Sequence, residues 1–188
     1  CLATLLKYNY RYMTMTHGIN QETQRCLPYA TDLNLSHAQK LERVGECKIS
    51  VCYNIVPSNS QHFQAIRTYP EWEENKAFSK LFSLQCFPQF KSRMHEAAMA
   101  RTLNLVYRDP WGISEDYYTP DEEFIYFDSN DELEEKINDI INNWSSYEGV
   151  VENAYNRVLS YTTENMMQLI DRGEAWNPKN VVRAKIKN

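Results

Sequence analysis

Glycine is scarce in this chain: five in 188 residues, at Gly18, Gly45, Gly112, Gly149 and Gly173. At those positions neither a G-x-G-x-x-G dinucleotide loop nor a G-x-x-x-x-G-K-[ST] phosphate loop can be assembled. A phosphate bound here must therefore be held by something other than a glycine-rich turn. No run of 18 apolar residues occurs, so no segment reads as a membrane-spanning helix. Basic residues are outnumbered, 20 lysines and arginines against 25 acids, for a net charge of -5. That balance excludes broad affinity for nucleic acid or anionic lipid, but not a local basic pocket for a small phosphate ligand. The five cysteines (Cys1, Cys26, Cys47, Cys52 and Cys86) are odd in number and lack any C-x-x-C spacing. They read as free thiols in a reducing, cytoplasmic setting rather than as disulfides or metal ligands. Cys1 to Lys7 is apolar but too short and wrongly flanked for a secretory signal. A chain that opens on cysteine rather than methionine is expected to be a portion of something longer.

What is present is an ordinary globular composition, 43% hydrophobic and 24% charged, enough for one domain with its own core. Tyr10 to Thr16 alternates aromatic or apolar residues with polar ones, a strand pattern ending at His17 and Gly18. Loop-like sequence follows through Pro28 to Asn34. Ser36 stands three residues before Gln39, the capping-box spacing, and predicts a helix carrying Leu41 and Val44. That helix should stop at Gly45, a residue tolerant of the left-handed C-terminal position. Lys48 to Ile55 is a β-rich run bounded by Pro57, Ser58 and Asn59. Pro70 opens a further predicted helix with Trp72, Phe78, Leu81 and Phe82 on one face, and Pro88 closes the region.

Phe90 to Ala100 is helix-permissive, with Met94, Ala97, Ala98 and Met99 as its apolar positions. Leu103 to Tyr107 reads as a short strand, Asp109 to Gly112 as a turn, Glu115 to Glu123 as an acidic loop and Phe124 to Phe127 as a second strand. Asp131 to Trp144 puts Leu133, Ile137, Ile140, Ile141 and Trp144 on one helical stripe, capped by Ser129 or Asn130. Tyr147, Val150, Val151, Ala154, Tyr155 and Val158 make a second stripe. Thr162 or Thr163 caps a third helix bearing Met166, Met167 and Ile170 and ending at Gly173. Short strands alternating with helices predict an α/β layered domain.

The densest cluster of chemistry lies between Pro88 and Ala98. Lys91 and Arg93 flank the expected helix start, and Glu96 follows within its first turns. Free N–H groups and the positive dipole end favour an anion there, and two cations sharpen that preference toward a diphosphate. A carboxylate one turn further in can accept hydrogen bonds from sugar hydroxyls. The plainer reading is a solvated helix end whose charges pair weakly with one another.

Arg93-Met94-His95-Glu96-Ala97-Ala98-Met99-Ala100 resembles the R-x-x-E-A-x-A helix of retaining GT-B glycosyltransferases and of the related spore-maturation-type group. Leu103 to Tyr107, Asp109 to Glu123, Phe124 to Phe127 and Asn130 to Leu133 resemble the strand, acidic loop, strand and helix that follow it there, in the same order. Tyr161-Thr162-Thr163 falls where that family starts its last helix. The resemblance spans Phe87 to Asp171 and implies a Rossmann-like parallel sheet layer with flanking helices and a helical C-terminal tail, one half of a GT-B enzyme. It implies that Lys91 and Arg93 neutralise the donor diphosphate and that Glu96 holds the ribose. Glu115 and Asp116 fall in the loop that approaches the donor sugar, although an exposed acidic turn is the commoner meaning of such a pair. Three departures are visible: Pro88 replaces the first carboxylate of an E-x-x-x-x-x-x-x-E pair, Arg101 stands where glycine is usual, and Leu103 lies near the usual proline.

The expected organisation is 1–45 as an interdomain or acceptor-domain remnant with one capped helix, 46–172 as the nucleotide-sugar-binding domain, and 173–188 as an extension. The implied ligands are a nucleoside-diphosphate sugar donor and a carbohydrate or other glycosyl acceptor, with no metal or other cofactor and no nucleic acid. A missing N-terminal domain of the same enzyme is the implied partner. The rival readings are a non-catalytic α/β interaction module and a nucleotide-binding pseudo-transferase.

Other candidates carry less. His17 at a strand end can face a cleft in an open α/β fold, though a plain turn histidine is commoner. His95-Glu96 begins an H-E-x-x-H zinc motif whose last position is Met99, so it fails. Asp128 to Glu132 has the carboxylates of a calcium loop without its glycine, and helix capping explains it better. Asn34-Leu35-Ser36 and Asn143-Trp144-Ser145 match the glycosylation pattern without a secretory context. Some of the thirteen tyrosines can line a carbohydrate cleft, but most belong to the core or an interface.

Overall fold

The computed structural model describes residues 1–17, 21–57, 86–109 and 111–172. The elements are α1 (Leu2–Leu5), β1 (Met13–Thr14), α2 (Gln21–Cys26), β2 (Asp32–Leu33), α3 (His37–Gly45), β3 (Ile49–Cys52), β4 (Ile55–Pro57), β5 (Cys86–Pro88), α4 (Arg93–Met99), β6 (Leu103–Tyr107), β7 (Ile125–Phe127), α5 (Asn130–Asn142), α6 (Glu148–Val158) and α7 (Thr163–Asp171). The helix expected from Pro70 and the stop at Gly173 lie outside the described residues.

The central layer is a three-stranded parallel sheet in the order β3-β6-β7, with Val51 opposite Leu105 and Leu105 opposite Ile125. Strand β6 is buried from Leu103 to Val106, because a middle parallel strand is covered on both faces. On one face Val106, Cys52 and Tyr126 pack with Met94 and Ala98 of α4 and with Ala154 and Val158 of α6. On the other, Leu103, Leu105, Ile125 and Phe127 pack with Leu133, Ile137 and Ile140 of α5. Cys1, Leu5 and Tyr8 extend this second cluster, and Tyr8 Oη donates to Asn138 Oδ1 at 2.9 Å. Each such aliphatic side chain contributes about 2 kcal/mol of burial free energy. The result is the α/β Rossmann-like layer that the alternation of elements predicts, with no helix among the described residues long and apolar enough to cross a membrane.

Local signals held where the decisive contact lies within one turn. Ser36 accepts from Gln39 N and Gln39 reaches back, a complete capping box for α3. Ser129 Oγ accepts from Glu132 N at 3.1 Å and starts α5, and Thr162 Oγ1 accepts from Asn165 N before α7. Other expectations need correction. The strand expected over Tyr10 to Thr16 is confined to Met13–Thr14, and Asp32–Leu33, expected to be loop, pairs with it in parallel. Gly45 closes α3 without a left-handed residue, since the following Glu46 has φ -77°. Met99 (55% exposed) and Ile141 (45%) face solvent, so their helical stripes are narrower than the sequence suggests.

The acidic loop is not uniformly solvated either: Glu123 is buried against Arg157. Arg101 adopts φ 55°. A side chain in the left-handed region costs about 1 kcal/mol. Its guanidinium offsets this by pairing with Glu152 and lying 3.8 Å over the Tyr155 ring.

Candidate functional site

The carboxyl ends of β3, β6 and β7 form one edge of the sheet, the edge at which open parallel sheets bind ligands. Just past β3 stands Asn54, fully buried. Its Oδ1 accepts from Lys91 N at 2.9 Å, its Nδ2 donates to Ser114 Oγ at 2.8 Å and to Met94 Sδ at 2.9 Å, and its carbonyl accepts from Gln89 N at 2.9 Å. One side chain thus ties the strand end, the segment leading into α4 and the short 3-10 turn Ile113–Asp116 together.

That anchored segment opens a cleft of about 410 Å³ lined by Lys40, Gln89, Phe90, Lys91, Ser92, Arg93 and Glu96. Lys91, Arg93 and Glu96 therefore converge on one concave surface. Lys40, on α3, joins them: its Nζ lies 2.8 Å from Glu96 Oε1, which also accepts from Ser92 Oγ at 3.3 Å. Glu96 Oε2 has no hydrogen-bond partner among the described residues. Ser92 makes no side-chain cap, and the N–H groups of the first turn of α4 meet no side-chain acceptor among the described residues.

Neither Lys91 nor Arg93 meets a carboxylate among the described residues; Lys91 Nζ is bound to the neutral Gln89 Oε1. Burial, and then the adjacent Arg93 charge, pull the Lys91 ammonium below its ordinary pKa. Three cations against one carboxylate leave the cleft an excess of positive charge on a chain that is acidic overall. An anion with hydroxyl groups next to it matches that lining.

The remaining sequence candidates lie elsewhere. Glu115 and Asp116 sit exposed in the 3-10 turn and outside the cleft lining, and Glu115 Oε1 accepts from Tyr126 Oη at 3.2 Å. His17 is exposed after β1, on the separate two-stranded pair, and does not line the cleft. Lys40 and Asn54 were not singled out by sequence reasoning. Lys40 is 56 residues from its partner Glu96 and Asn54 is 60 from Ser114, so no local pattern could have marked them.

Behind the cleft, His95 is enclosed by Phe90, Tyr117, Tyr118 and Tyr161, with ring centroids 4.9 to 5.7 Å away. Desolvation lowers its pKa from 6.5 to about 4, against a smaller opposing pull from Glu96. Tyr118, whose pKa burial drives upward, keeps its proton and shares a hydrogen bond of 2.7 Å with His95 Nδ1. Between pH 6.5 and about 4 the unfolded chain takes up a proton that the fold refuses. Stability should therefore be complete above 6.5 and fall as pH drops through that window, by about 2 kcal/mol after allowance for partial exposure. Denaturant unfolding at a series of pH values checks this. His95→Gln, which keeps an acceptor for Tyr118 but does not titrate, should flatten the profile; an unchanged slope would assign it to other groups.

No curated protein matches the chain significantly. A family model described as glycosyl transferase-like matches residues 78–171, half of the chain, and includes Lys91, Arg93, Glu96, the strands β6 and β7 and the helices α4 to α7. With Lys91, Arg93 and Glu96 inside the matched stretch and the parallel α/β layer beneath them, the chain belongs to the glycosyl transferase-like family.

Proposed function

We propose that this chain is the donor-side portion of a GT-B glycosyltransferase and that it binds a nucleoside-diphosphate sugar in the Lys91–Arg93–Glu96 cleft. Lys91 and Arg93 take the diphosphate, the arginine through a bidentate grip on phosphate oxygens. The free oxygen of Glu96 accepts a ribose hydroxyl, with Lys40 holding the carboxylate in place. Stabilising the departing nucleoside diphosphate is the main contribution such a site makes to glycosyl transfer, because negative charge builds there in the transition state. The acceptor, a carbohydrate or another hydroxyl-bearing molecule, would be presented by an N-terminal domain across the cleft. The observation that supports this reading best is the convergence on a single cleft of two cations that meet no carboxylate among the described residues and of one carboxylate, all three within the matched region.

Titration with uridine and guanosine diphosphates, free and sugar-linked, provides the test. Saturable binding that weakens with salt is expected, with a loss of about tenfold or more in Arg93→Ala, the worth of one charge-assisted hydrogen bond. Chelating agents should leave the affinity unchanged, since the cations here are side chains. Absence of binding to a longer protein carrying both halves would overturn the reading. Pro88, where related chains place a carboxylate against the sugar, favours a second reading in which the nucleotide binds without turnover. Donor hydrolysis or transfer by the same longer protein separates the two.

A further inference from the structure

A second cleft, about 480 Å³, opens at the same carboxyl edge of the sheet and is lined by Tyr53, Ile55, Tyr107, Asp128, Ser129 and Asn130. Its character is unlike that of the first. Tyr53 and Tyr107 stack nearly parallel, 5.1 Å apart at 20°, and the fully buried Phe127 meets both edge-on at 5.5 and 5.8 Å. The two rings are thus clamped from behind into a rigid apolar wall, which loses little entropy when a ligand settles on it. Neither phenol oxygen has a hydrogen-bond partner among the described residues, and desolvation raises the pKa of Tyr53, so its proton stays available to donate.

Opposite polar groups complete the lining. Asp128 offers carboxylate oxygens and is oriented by Arg108 Nε at 3.0 Å. Ser129 Oγ accepts from Glu132 N, which leaves its hydroxyl proton to donate outward. The Asn130 amide makes no hydrogen bond among the described residues. Among the described residues no cation lines the cleft, and the one charged group in its lining is Asp128. A phosphorylated ligand is disfavoured for that reason, whereas a neutral ring with adjacent hydroxyls finds a flat apolar partner for one face and a planar carboxylate and amide for its edge.

We infer that the Tyr53–Tyr107–Asp128 cleft is a binding site for a neutral pyranose ring of a glycan, separate from the Lys91–Arg93–Glu96 cleft. It stands on its own lining and does not require that the first cleft take a nucleoside diphosphate.

The test is an amide-resolved NMR titration of the full chain with methyl glycosides of glucose, galactose, mannose and N-acetylglucosamine. Uridine serves as the planar-base comparison and uridine diphosphate as the charged one. At least one glycoside should give saturable shifts centred on Tyr53, Tyr107 and Asn130, with millimolar affinity. Asp128→Asn and Tyr53→Phe, which preserve size and the rings, should each weaken it about fivefold or more. Both variants should leave the rest of the spectrum and the response to uridine diphosphate unchanged. Absence of a saturable glycoside shift at these residues up to about 50 mM overturns the inference. So does a stronger response of the same residues to uridine, which would make the cleft a base site, or glycoside shifts that survive both substitutions.

Discussion

Replacing Arg157 with alanine should cost about 3 kcal/mol of folding stability, the largest effect expected from any single charged residue among those the structure describes. Arg157, on α6, places Nε 3.1 and 3.2 Å from the two carboxylate oxygens of Glu123, whose side chain is 0% exposed; that of the arginine is 16% exposed. Glu123 Oε2 also accepts from Thr119 N at 2.8 Å, inside the turn that delivers the chain into β7. Truncating the arginine takes away the guanidinium facing a carboxylate that water cannot reach, and desolvation then dominates. Asn153 Nδ2, bound to the Glu122 carbonyl at 3.1 Å, remains to hold the loop on α6, so partial rather than complete loss of folding is expected. For a chain of this size the melting temperature should fall by roughly 6 to 12 °C. Arg157→Met combined with Glu123→Gln removes both charges while keeping an acceptor for Thr119, and should recover part of the loss. Thermal and denaturant unfolding of the three variants measures it. A single-variant loss below about 1 kcal/mol would mean that the pair behaves as a solvated one.

Asn54→Ala should lower stability by a similar amount, about 3 kcal/mol, and should also disable the cleft. The substitution strands the part-buried Lys91 N–H and the fully buried Ser114 Oγ and removes the atoms that fill the Asn54 position. If the bond from the Lys91 backbone N–H to Asn54 aims that lysine into the cleft, the nucleoside diphosphate affinity proposed for the site should drop about tenfold although Asn54 does not line the cleft. Adding Ser114→Ala removes one stranded hydroxyl, so the double variant should lose less than the sum of the two single losses. Denaturant unfolding gives the stability cycle, and calorimetric titration of uridine diphosphate gives the affinity. Unchanged binding with reduced stability would leave Asn54 a packing residue with no part in positioning Lys91.

Both residues lie within a stretch whose elements were readable in the sequence, yet neither was readable itself. The strand Leu103–Tyr107 stands where its apolar run places it, and α3, α5 and α7 start at side-chain caps. Each of those caps is satisfied three residues along the chain, so sequence spacing contains it. Glu123 looked like one more acid in a solvated loop because its burial depends on α6, 34 residues later. The β1–β2 pairing was missed for a related reason. Two-residue strands have too little alternation to mark themselves, and their partner lies 19 residues away, with Met13 opposite Asp32.

The sequence by itself determined that no glycine-rich phosphate loop is available, that Lys91, Arg93 and Glu96 lie on and just before one helix, and that strands alternate with helices in an α/β layer. Those are properties of composition and of contacts one helical turn apart. Only the tertiary structure decided that the three side chains share a cleft with Lys40, that Asn54 ties the segment leading into α4 to the end of β3, and that Tyr53, Tyr107 and Asp128 meet at a second one. The sheet order decides them: β3 lies beside β6 and β6 beside β7, which brings three strand ends, far apart along the chain, to one edge. Burial then sets which polar groups there must find partners and which remain open to a ligand.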